Sequence, residues 1–466
     1  MKTNHILAVV FILLSLSAIT SCSGSGKEPA QALSPPTESQ TETAQVRVIH
    51  ASPDAPTVNV LADGEVLGFL VGVDYQQASV NFTFQSGSAY EFALQTITTD
   101  GAVDAISTNL TTQANFSYDI VAVGSISSNT LEFLTLSNLD SELAQGYVRA
   151  RMLHAAEDLG MVDIYITAVN EDIESAQTNA TLSYKDSSGE IEVAGGEYQI
   201  RLTPAGSLEV LFDSGPIILP ADSEFVVLVT QNVTTGDAPV SLVISDGNNS
   251  SVVLDKDTPA SIRIVHGVSD APAVDVIANN SVEIVDDVSF LSVTEYVEIA
   301  VANNQTEYLI DVASAANNAT VVINDATINL EAGQHYTAIA NNQLSNIDLD
   351  LAVDNVRRVA TNAKIRLFHA ASTTGDIDIY ITPDGNIADV EPGITDIPYL
   401  TDELAQTGYI LLEEGDYIIS VTPANSKDIL VESNLFSAQN NRIYTVFVVN
   451  GETVDSAINL ILTDDF

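Results

Sequence analysis

Short runs of Val, Ile, Tyr and Thr that alternate with polar residues recur along the chain from Val46 to its last residues. Stretches of Gly, Pro, Asn and Asp separate the runs. A period of two is typical of strands with one buried face, and those four residue types are typical of turns. No segment after the apolar stretch Ile6–Ile19 keeps a period of 3.6 residues. The pattern therefore predicts an all-β protein.

Four segments of the chain open with the same pattern, which indicates an internal repeat. They read VRVIHASPDAPTVNV from Val46, ARMLHAAEDLGMVDIYI from Ala150, IRIVHGVSDAPAVDVIA from Ile262 and IRLFHAASTTGDIDIYI from Ile365. Each opening holds a histidine and, three residues before it, an arginine. The histidines are His50, His154, His266 and His369, and the arginines are Arg47, Arg151, Arg263 and Arg366.

Two aromatic markers follow each opening in the same order, first at Tyr90, Tyr198, Tyr308 and Tyr417, then at Tyr118, Phe225, Tyr336 and Tyr444. We therefore predict four tandem domains, at residues 45–142, 143–258, 259–357 and 358–466. Each has room for seven or eight short strands, which predicts an immunoglobulin-like antiparallel β-sandwich without the Cys and Trp of antibody domains. A β-propeller is the alternative, but its blades are typically about 40–50 residues long.

The copies are not equally alike. The first and third share SPDAP and VSDAP, whereas the second and fourth share VDIYIT and IDIYIT. This A-B-A-B order indicates a duplicated pair. We expect the pair to be the packing unit, with contacts between domains only within 45–258 and within 259–466.

Each opening can be interpreted as a β-hairpin with a defined register. Pairing Val48 with Val58 places Arg47 opposite Asn59 and leaves a five-residue loop. The same register sets the other arginines opposite aspartates, as the pairs Arg151 with Asp163, Arg263 with Asp275 and Arg366 with Asp378. By the alternation of a strand these pairs face outward, as exposed cross-strand ion pairs worth about 0.2–1 kcal/mol each.

The same alternation places His50 and its three equivalents on the inward face, where the first strand ends. We expect these histidines to hydrogen-bond the loop backbone and hold the turn. Metal ligation and catalysis are the alternatives. Zinc sites draw several ligands from close spacings, whereas here there is one histidine per domain. The chain also lacks G-x-S-x-G, H-E-x-x-H, Walker A and EF-hand sequences.

Three aspartates fall in the loops after the first strands, namely Asp54, Asp158 and Asp270. Carboxylates at the tips of β-sandwich domains can bind Ca²⁺ through oxygen ligands, so these residues are candidate calcium ligands. The alternative is that they are solvated turn residues. No other cofactor is expected.

The N-terminus is typical of a secretion signal, with Lys2 before the apolar stretch and residues 1–21 as the signal peptide. The sequence ITSC at its end resembles the lipobox of bacterial lipoproteins, which implies acylation of Cys22, the only cysteine. A serine in the next position, Ser23, resembles the pattern of lipoproteins that are sent to the outer membrane of Gram-negative bacteria. Residues 22–44 are rich in Ser, Pro, Thr and Glu and predict a flexible tether.

The chain has 63 acidic and 15 basic residues and a formal net charge of -48. So large a negative charge repels phosphates, which argues against nucleic-acid binding. It also suits a solubility role, for instance in saline surroundings, or a surface that collects cations.

The run VRVIHASPDAPTVNVLADGEVL, from Val46, resembles the opening of the domain-of-unknown-function family 4397. The resemblance is close in the first and third copies and looser in the second and fourth, which carry AAEDLG and AASTTG. We expect it to cover nearly the whole mature chain. It implies an extracytoplasmic β-sandwich module, usually in tandem, and no functional residues.

Together these patterns favour a lipid-anchored cell-envelope protein that binds a surface glycan, a polymer or an envelope protein without catalysis. Repeated modules on a tether suit multivalent binding. One alternative is a glycan hydrolase that uses carboxylates between domains. The other is a structural spacer without a ligand. The absence of Trp counts against a sugar-stacking groove, although Tyr can replace it. The oligomeric state does not follow from the sequence.

Overall fold

The strands predicted by the alternation are present throughout the computed structural model of the chain. The structure describes residues 42–68, 70–98, 101–279, 282–301, 307–399, 405–453 and 456–465. This part of the chain contains β-strands and one 3₁₀ turn, Leu344–Asn346, and no α-helix. Consequently, none of the described residues belongs to a helix long and apolar enough to cross a membrane.

Repeat 1 comprises eight strands: β1 (Thr43–His50), β2 (Asn59–Ala62), β3 (Glu65–Val66), β4 (Phe82–Gln85), β5 (Ala89–Thr98), β6 (Gly101–Thr111), β7 (Phe116–Val123) and β8 (Glu132–Leu139). Repeat 2 comprises β9 (Tyr147–His154), β10 (Val162–Thr167), β11 (Ala180–Leu182), β12 (Ile191–Ala194), β13 (Gly196–Pro204), β14 (Phe212–Leu219), β15 (Ser223–Gln231), β16 (Val240–Ser245) and β17 (Ser250–Val253).

Repeat 3 comprises β18 (Ala260–His266), β19 (Val274–Ala278), β20 (Val282–Val288), β21 (Val297–Ile299), β22 (Glu307–Ser314), β23 (Asn317–Asn329), β24 (His335–Asn341) and β25 (Asp348–Asp354). Repeat 4 comprises β26 (Ala363–Ala370), β27 (Ile377–Thr382), β28 (Ile394–Ile397), β29 (Ala405–Gln406), β30 (Ile410–Leu412), β31 (Gly415–Pro423), β32 (Val431–Glu432), β33 (Phe436–Ala438), β34 (Ile443–Thr453) and β35 (Ser456–Asp464).

Each repeat is a sandwich of two sheets with a common order of four strands, to which repeat 2 adds β17 and repeat 4 adds β30 and β33. In repeat 1 the orders are β4-β1-β7-β8 and β3-β2-β5-β6, and in repeat 3 they are β21-β18-β24-β25 and β20-β19-β22-β23. The first strand of every repeat runs parallel to its neighbour, in the pairs β1 with β7, β9 with β15, β18 with β24 and β26 with β34. The predicted all-β sandwich fold is therefore confirmed, although one strand pair in each repeat departs from the predicted antiparallel pairing. Parallel neighbours need a long crossover, which the other sheet supplies.

Each sandwich has its own apolar core. In repeat 1 the core contains Val46 and Val48 of β1, Val58 and Val60 across from them, and Phe92 of β5. Equivalent clusters fill repeats 2, 3 and 4. The residues that the alternation assigned to the inward face thus line the space between the two sheets.

The predicted hairpin is wrong. Arg263 lies on β18 and Asp275 on β19, and these two strands belong to different sheets. The loop between them carries the chain from one sheet to the other, and the same holds in all four repeats. A hairpin and a crossover between facing sheets bury the same alternate residues, so the alternation does not distinguish them. The cross-strand Arg and Asp ion pairs are consequently absent from the described structure.

The repeats pack in pairs through the sheets that contain the parallel strands. Between repeats 1 and 2, an apolar cluster includes Ile49, Val121, Leu153 and Leu228. Between repeats 3 and 4, the cluster is built around the stacked rings of Phe368 and Phe447, 5.4 Å apart. The outward face of each first strand is therefore buried against the neighbouring repeat.

Polar contacts also join the two pairs. Arg357, in the linker between repeats 3 and 4, donates from Nη1 to Pro53 O and Ala55 O of repeat 1, at 3.2 and 2.6 Å, and pairs with Asp74 through Nη2. Contacts are therefore not confined to 45–258 and 259–466 as predicted. The two apolar clusters lie within the predicted pairs, whereas side chains of repeats 2 and 3 also meet across the pairs, with Thr235 Oγ1 donating to Pro259 O at 2.6 Å and the Gly236 amide donating to Glu298 Oε1 at 3.3 Å.

Candidate functional site

The signature aspartates hold loops of their own repeat. Asp163 accepts from Thr181 Oγ1 at 2.5 Å and from the Gly206 amide at 2.7 Å. Asp275 accepts from the Asp287 amide at 2.9 Å. Asp378 accepts from the amides of Asp396 and Asn425, both at 2.8 Å. All three aspartates are buried. Because buried carboxylates need such donors, these residues organise turns and are not presented to a ligand.

The four signature histidines are buried where the first strand meets its loop. Each Nε2 lies 3.0–3.2 Å from a backbone carbonyl six residues further along the chain, in the pairs His50 with Pro56, His154 with Gly160, His266 with Pro272 and His369 with Gly375. Burial lowers the pKa of all four, and that of His50 falls to about 4. A neutral imidazole that donates to the loop suits a structural role.

Replacement of His266 by Ala is expected to destabilise the protein by about 1–3 kcal/mol. The change removes the donor to the Pro272 carbonyl and opens a cavity where the buried imidazole lay. Thermal unfolding followed by circular dichroism measures the loss. Ligand binding should be unchanged when it is measured below the new transition. An unaltered melting temperature together with lost binding would make His266 a binding residue instead.

The three candidate calcium ligands do not form one site, because Asp54 and Asp158 line a common pocket whereas Asp270 lies elsewhere, in repeat 3. Asp54 accepts from Ile126 N, Ser127 N, Ser125 Oγ and Ser127 Oγ at 2.7–2.9 Å, and these hydrogen bonds lower its pKa although its partial burial opposes them. Asp270 accepts from the Leu344 amide, and Asp158 is exposed in another repeat. Among the described residues no group of three or more His, Cys, Asp or Glu side chains is arranged for a metal ion. Cys22 lies outside the described residues.

The signature arginines of the second pair are enclosed between repeats 3 and 4. Arg366 pairs with Asp354 of repeat 3, and Arg263 pairs with Asp465 of repeat 4 at 2.5 Å. The guanidinium of Arg263 lies 4.9 Å from the ring centre of Tyr296, and that of Arg366 lies 4.8 Å from that of Tyr409. Charge pairing and cation–π contact therefore satisfy both arginines.

The corresponding aromatic position is polar in the first pair. Beside each first strand, a neighbouring segment forms a β-bridge or strand pair with it, at Ala78, Ser187, Val293 and Gln406. The residues three positions later are Asn81, Glu190, Tyr296 and Tyr409. Repeats 1 and 2 thus carry Asn81 and Glu190 where repeats 3 and 4 carry the two tyrosines. The smaller side chain and the carboxylate leave the interface of the first pair open to solvent.

A cleft of about 240 Å³ lies at this opening between repeats 1 and 2, and we call it the first-pair cleft. Its charged lining residues are Arg47, Arg149, Arg151, Asp119, Asp140, Glu190, Glu224 and Asp246, and Asn81 and Asn138 also line it. Three of the 15 basic residues of the chain therefore meet in one cleft. An arrangement of hydrogen-bond donors and acceptors in a concave site is suited to a polar ligand.

Ion pairs fix most of the charges in the cleft. Arg47 pairs with Asp119 at 2.6 Å. Arg149 pairs with Glu192 at 2.9 Å and with Glu224 at 3.1 Å, and these carboxylates raise its pKa although burial opposes the shift. Arg151 differs, because its nearest carboxylate is Glu190 at 3.4 Å and burial lowers its pKa. In this site, Arg47 and Arg149 therefore have close carboxylate partners, whereas the charge of Arg151 is only weakly compensated.

Sequence reasoning named Arg47 and Arg151 but assigned them to an exposed hairpin, and it missed the cleft that they line. It also missed Asn81, Asn138, Arg149 and Glu224. One signal in the sequence could have found the buried interface. Two residues after each signature arginine, the next outward-facing position is apolar in all four copies. These residues are Ile49, Leu153, Val265 and Phe368. An apolar residue on an outward face indicates that another surface covers it.

Comparisons with solved structures give distant similarities. The Bacillus anthracis TIE protein is 12% identical, with 88% of this chain and 69% of that chain covered, at a TM-score of 0.14. A variant of BcpA, the major pilin subunit of Bacillus cereus, is 10% identical, with 66% of this chain and 99% of that chain covered, at a TM-score of 0.11. TM-scores this low carry no argument about function. No curated protein sequence matches significantly.

The family described as "Domain of unknown function (DUF4397)" matches residues 44–165 and 260–380. The first match covers repeat 1 and the opening of repeat 2, and the second covers repeat 3 and the opening of repeat 4. The match covers just over half of the chain, so the predicted coverage of nearly the whole mature chain was too large. The recurrence nevertheless agrees with the tandem repeats, and the chain belongs to the DUF4397 family.

Proposed function

We propose that the protein is a non-catalytic binding module of the bacterial cell envelope, anchored by a lipid on Cys22, and that it takes a surface glycan in the first-pair cleft. The observation that carries the proposal is the difference between the two pairs. The second pair fills its interface with Tyr296 and Tyr409, whereas the first pair leaves about 240 Å³ open between polar side chains.

The chemistry of the cleft supports a saccharide. Sugars carry many hydroxyl groups, each of which donates and accepts, and the cleft offers guanidinium and amide donors beside carboxylate acceptors. The volume is below the roughly 300 Å³ of typical small-molecule sites. It therefore suits one sugar ring of a longer chain that continues into solvent.

The ion pairs favour binding over hydrolysis. A glycoside hydrolase needs one carboxyl group that delivers a proton and a second carboxylate across the scissile bond. Asp119, Glu190 and Glu224 all face arginines within 3.5 Å, so each acts as an acceptor in a fixed network. Incubation with oligosaccharides and analysis for shortened products distinguishes the two functions, and we expect no products.

Replacement of Cys22 by Ser is expected to release the protein from the membrane fraction. The serine hydroxyl does not accept the thioether-linked lipid, so the exported chain keeps no acyl anchor. Fractionation of cells that express either form, followed by immunoblotting, measures the change. Retention of the variant in the detergent-soluble membrane fraction would contradict the lipid anchor. A soluble variant then supplies the chain for binding experiments.

The binding proposal is tested with a panel of neutral and acidic oligosaccharides and the soluble Cys22→Ser chain, residues 22–466. We expect Asn81→Tyr, which brings the aromatic side chain of the second pair into the cleft, to weaken binding at least about tenfold, or about 1.4 kcal/mol. Val71→Tyr adds the same side chain at an exposed position of repeat 1 outside the cleft and should bind like the parent chain.

Two outcomes would overturn the proposal. One is that no oligosaccharide binds the parent chain, which would favour the structural spacer. The other is binding that Asn81→Tyr and Glu190→Tyr both leave unchanged, although circular dichroism shows that they are folded. In that case the ligand site lies outside the first-pair cleft.

A further inference from the structure

Arg151 stands apart from the three equivalent arginines. Arg47, Arg263 and Arg366 each contact a carboxylate within 2.6 Å. The corresponding distance for Arg151 is 3.4 Å, from Nη2 to Glu190 Oε1, although the side chain is only 15% exposed. A guanidinium that has lost water and lacks a close counter-ion is an unfavourable arrangement in an isolated protein.

The missing carboxylate can be located from the second pair. There Asp354 of repeat 3 reaches Arg366 of repeat 4, and Asp354 faces His335 across strands β24 and β25. The equivalent position in repeat 1 is Asn138, which faces Ser117 across β7 and β8. An amide thus replaces the carboxylate that would pair with Arg151.

Asn138 also has an unused acceptor. Its Oδ1 is buried and makes no hydrogen bond with any described residue. Both Asn138 and Arg151 line the first-pair cleft. The cleft therefore holds a guanidinium without a close counter-ion and an amide oxygen without a hydrogen-bond donor. The first can pair with an anionic acceptor, and the second can accept from a donor. A sugar that carries a carboxylate next to hydroxyl groups provides both.

We propose that the first-pair cleft recognises a carboxylate-bearing saccharide, whose carboxylate pairs with Arg151 as the carboxylate of Asp354 pairs with Arg366. This inference rests on the proposed function and names the ligand class of the same site. A neighbouring hydroxyl of the sugar donates to Asn138 Oδ1. The saccharide thus completes, from outside, the interface that the second pair completes with its own side chains.

The negative charges near the cleft do not prevent this pairing. Asp119 is paired with Arg47, while Glu190 and Glu224 contact Arg149. Asp140 is an exposed rim residue, and Asp246 accepts hydrogen bonds from two loop amides. At about 0.15 M salt the Debye length is about 8 Å, so the distant charges that make up the total of -48 are largely screened. The rim carboxylates can accept hydrogen bonds from sugar hydroxyls.

The test compares trigalacturonic acid with a neutral galactose trisaccharide by isothermal titration calorimetry of the soluble chain. We expect the acidic probe to bind more tightly, and its affinity to fall between about 0.1 and about 1 M salt, where the Debye length shrinks from about 10 to about 3 Å. Asn138→Asp is the decisive variant. It supplies the carboxylate within the chain, and we expect it to weaken binding of the acidic probe at least about tenfold.

Asn138→Ala is the matched control, since it removes the amide without adding charge. It should keep most of the preference for the acidic probe, and Arg151→Ala should abolish that preference. Equal binding of both probes, unaffected by Asn138→Asp, would overturn the acidic-saccharide inference and leave the glycan proposal intact. If neither probe binds, and no other glycan in the panel binds either, the glycan proposal is overturned as well.

Discussion

Replacement of Asp354 by Ala is expected to lower the free energy of unfolding by about 3–5 kcal/mol. The carboxylate of Asp354 is 1% exposed and pairs with Arg366, which is fully buried. It also accepts from Thr337 Oγ1 at 2.7 Å and from the Tyr296 hydroxyl at 2.5 Å. The variant leaves the Arg366 charge buried without its counter-ion, and the lost solvation of that charge is not recovered.

Urea unfolding followed by circular dichroism measures this loss. The matched control is Arg442→Ala, which breaks the pair with Asp464, where both side chains are more than 40% exposed. An exposed pair contributes about 0–1 kcal/mol. Hydrogen exchange should show the increased opening of the Asp354 variant in strands β18, β24, β25, β26 and β34. A loss no larger than that of the control would contradict the buried charge network.

Acidification from pH 6.5 to pH 4 is expected to destabilise the protein through its buried histidines. Burial lowers the pKa of His50 to about 4, whereas an exposed histidine titrates near 6.5. Between these values the unfolded chain binds a proton that the native chain does not, so stability rises with pH and is lost as pH falls. A difference of about 2.5 pKa units corresponds to about 3 kcal/mol for His50. Burial lowers the pKa of His335 to about 4 as well.

The carboxylates also take up protons in acid, so the comparison needs a variant. His50→Gln keeps a donor near the Pro56 carbonyl and does not titrate. We expect its stability to depend less on pH than that of the parent chain between pH 6.5 and pH 4, by about 3 kcal/mol in total. Parallel curves for the two proteins would show that the histidine is not the titrating group.

The sequence was sufficient for the repeats and for the inward face of the first strands. Val46, Val48 and His50 are buried as the alternation predicts, because a strand that lines a sandwich buries every second side chain. The family was also recognisable, since the motif VRVIHASPDAP lies in the matched region. These features depend on local pattern, which one sequence contains in full.

The sheet to which each strand belongs could not be obtained this way. Val48 and Val58 share the core whether their strands are neighbours in one sheet or face each other across two. Whether Arg47 and Arg151 are exposed or enclosed depends on the surface of another repeat, which packs against their strands. The contrast between Asn138 and Asp354 is visible in the sequence, but its meaning required the register of β7 with β8 and of β24 with β25.

The claim that the first pair binds a ligand where the second pair is closed can be tested most directly by crystallography. Crystals of the soluble chain would be grown with trigalacturonic acid and the electron density of the two pairs compared. We expect one sugar ring between Arg151 and Asn138, with its carboxylate on the guanidinium, and an unchanged contact of Arg366 with Asp354. A ring bound elsewhere on the chain, with the first-pair cleft filled only by water, would contradict it.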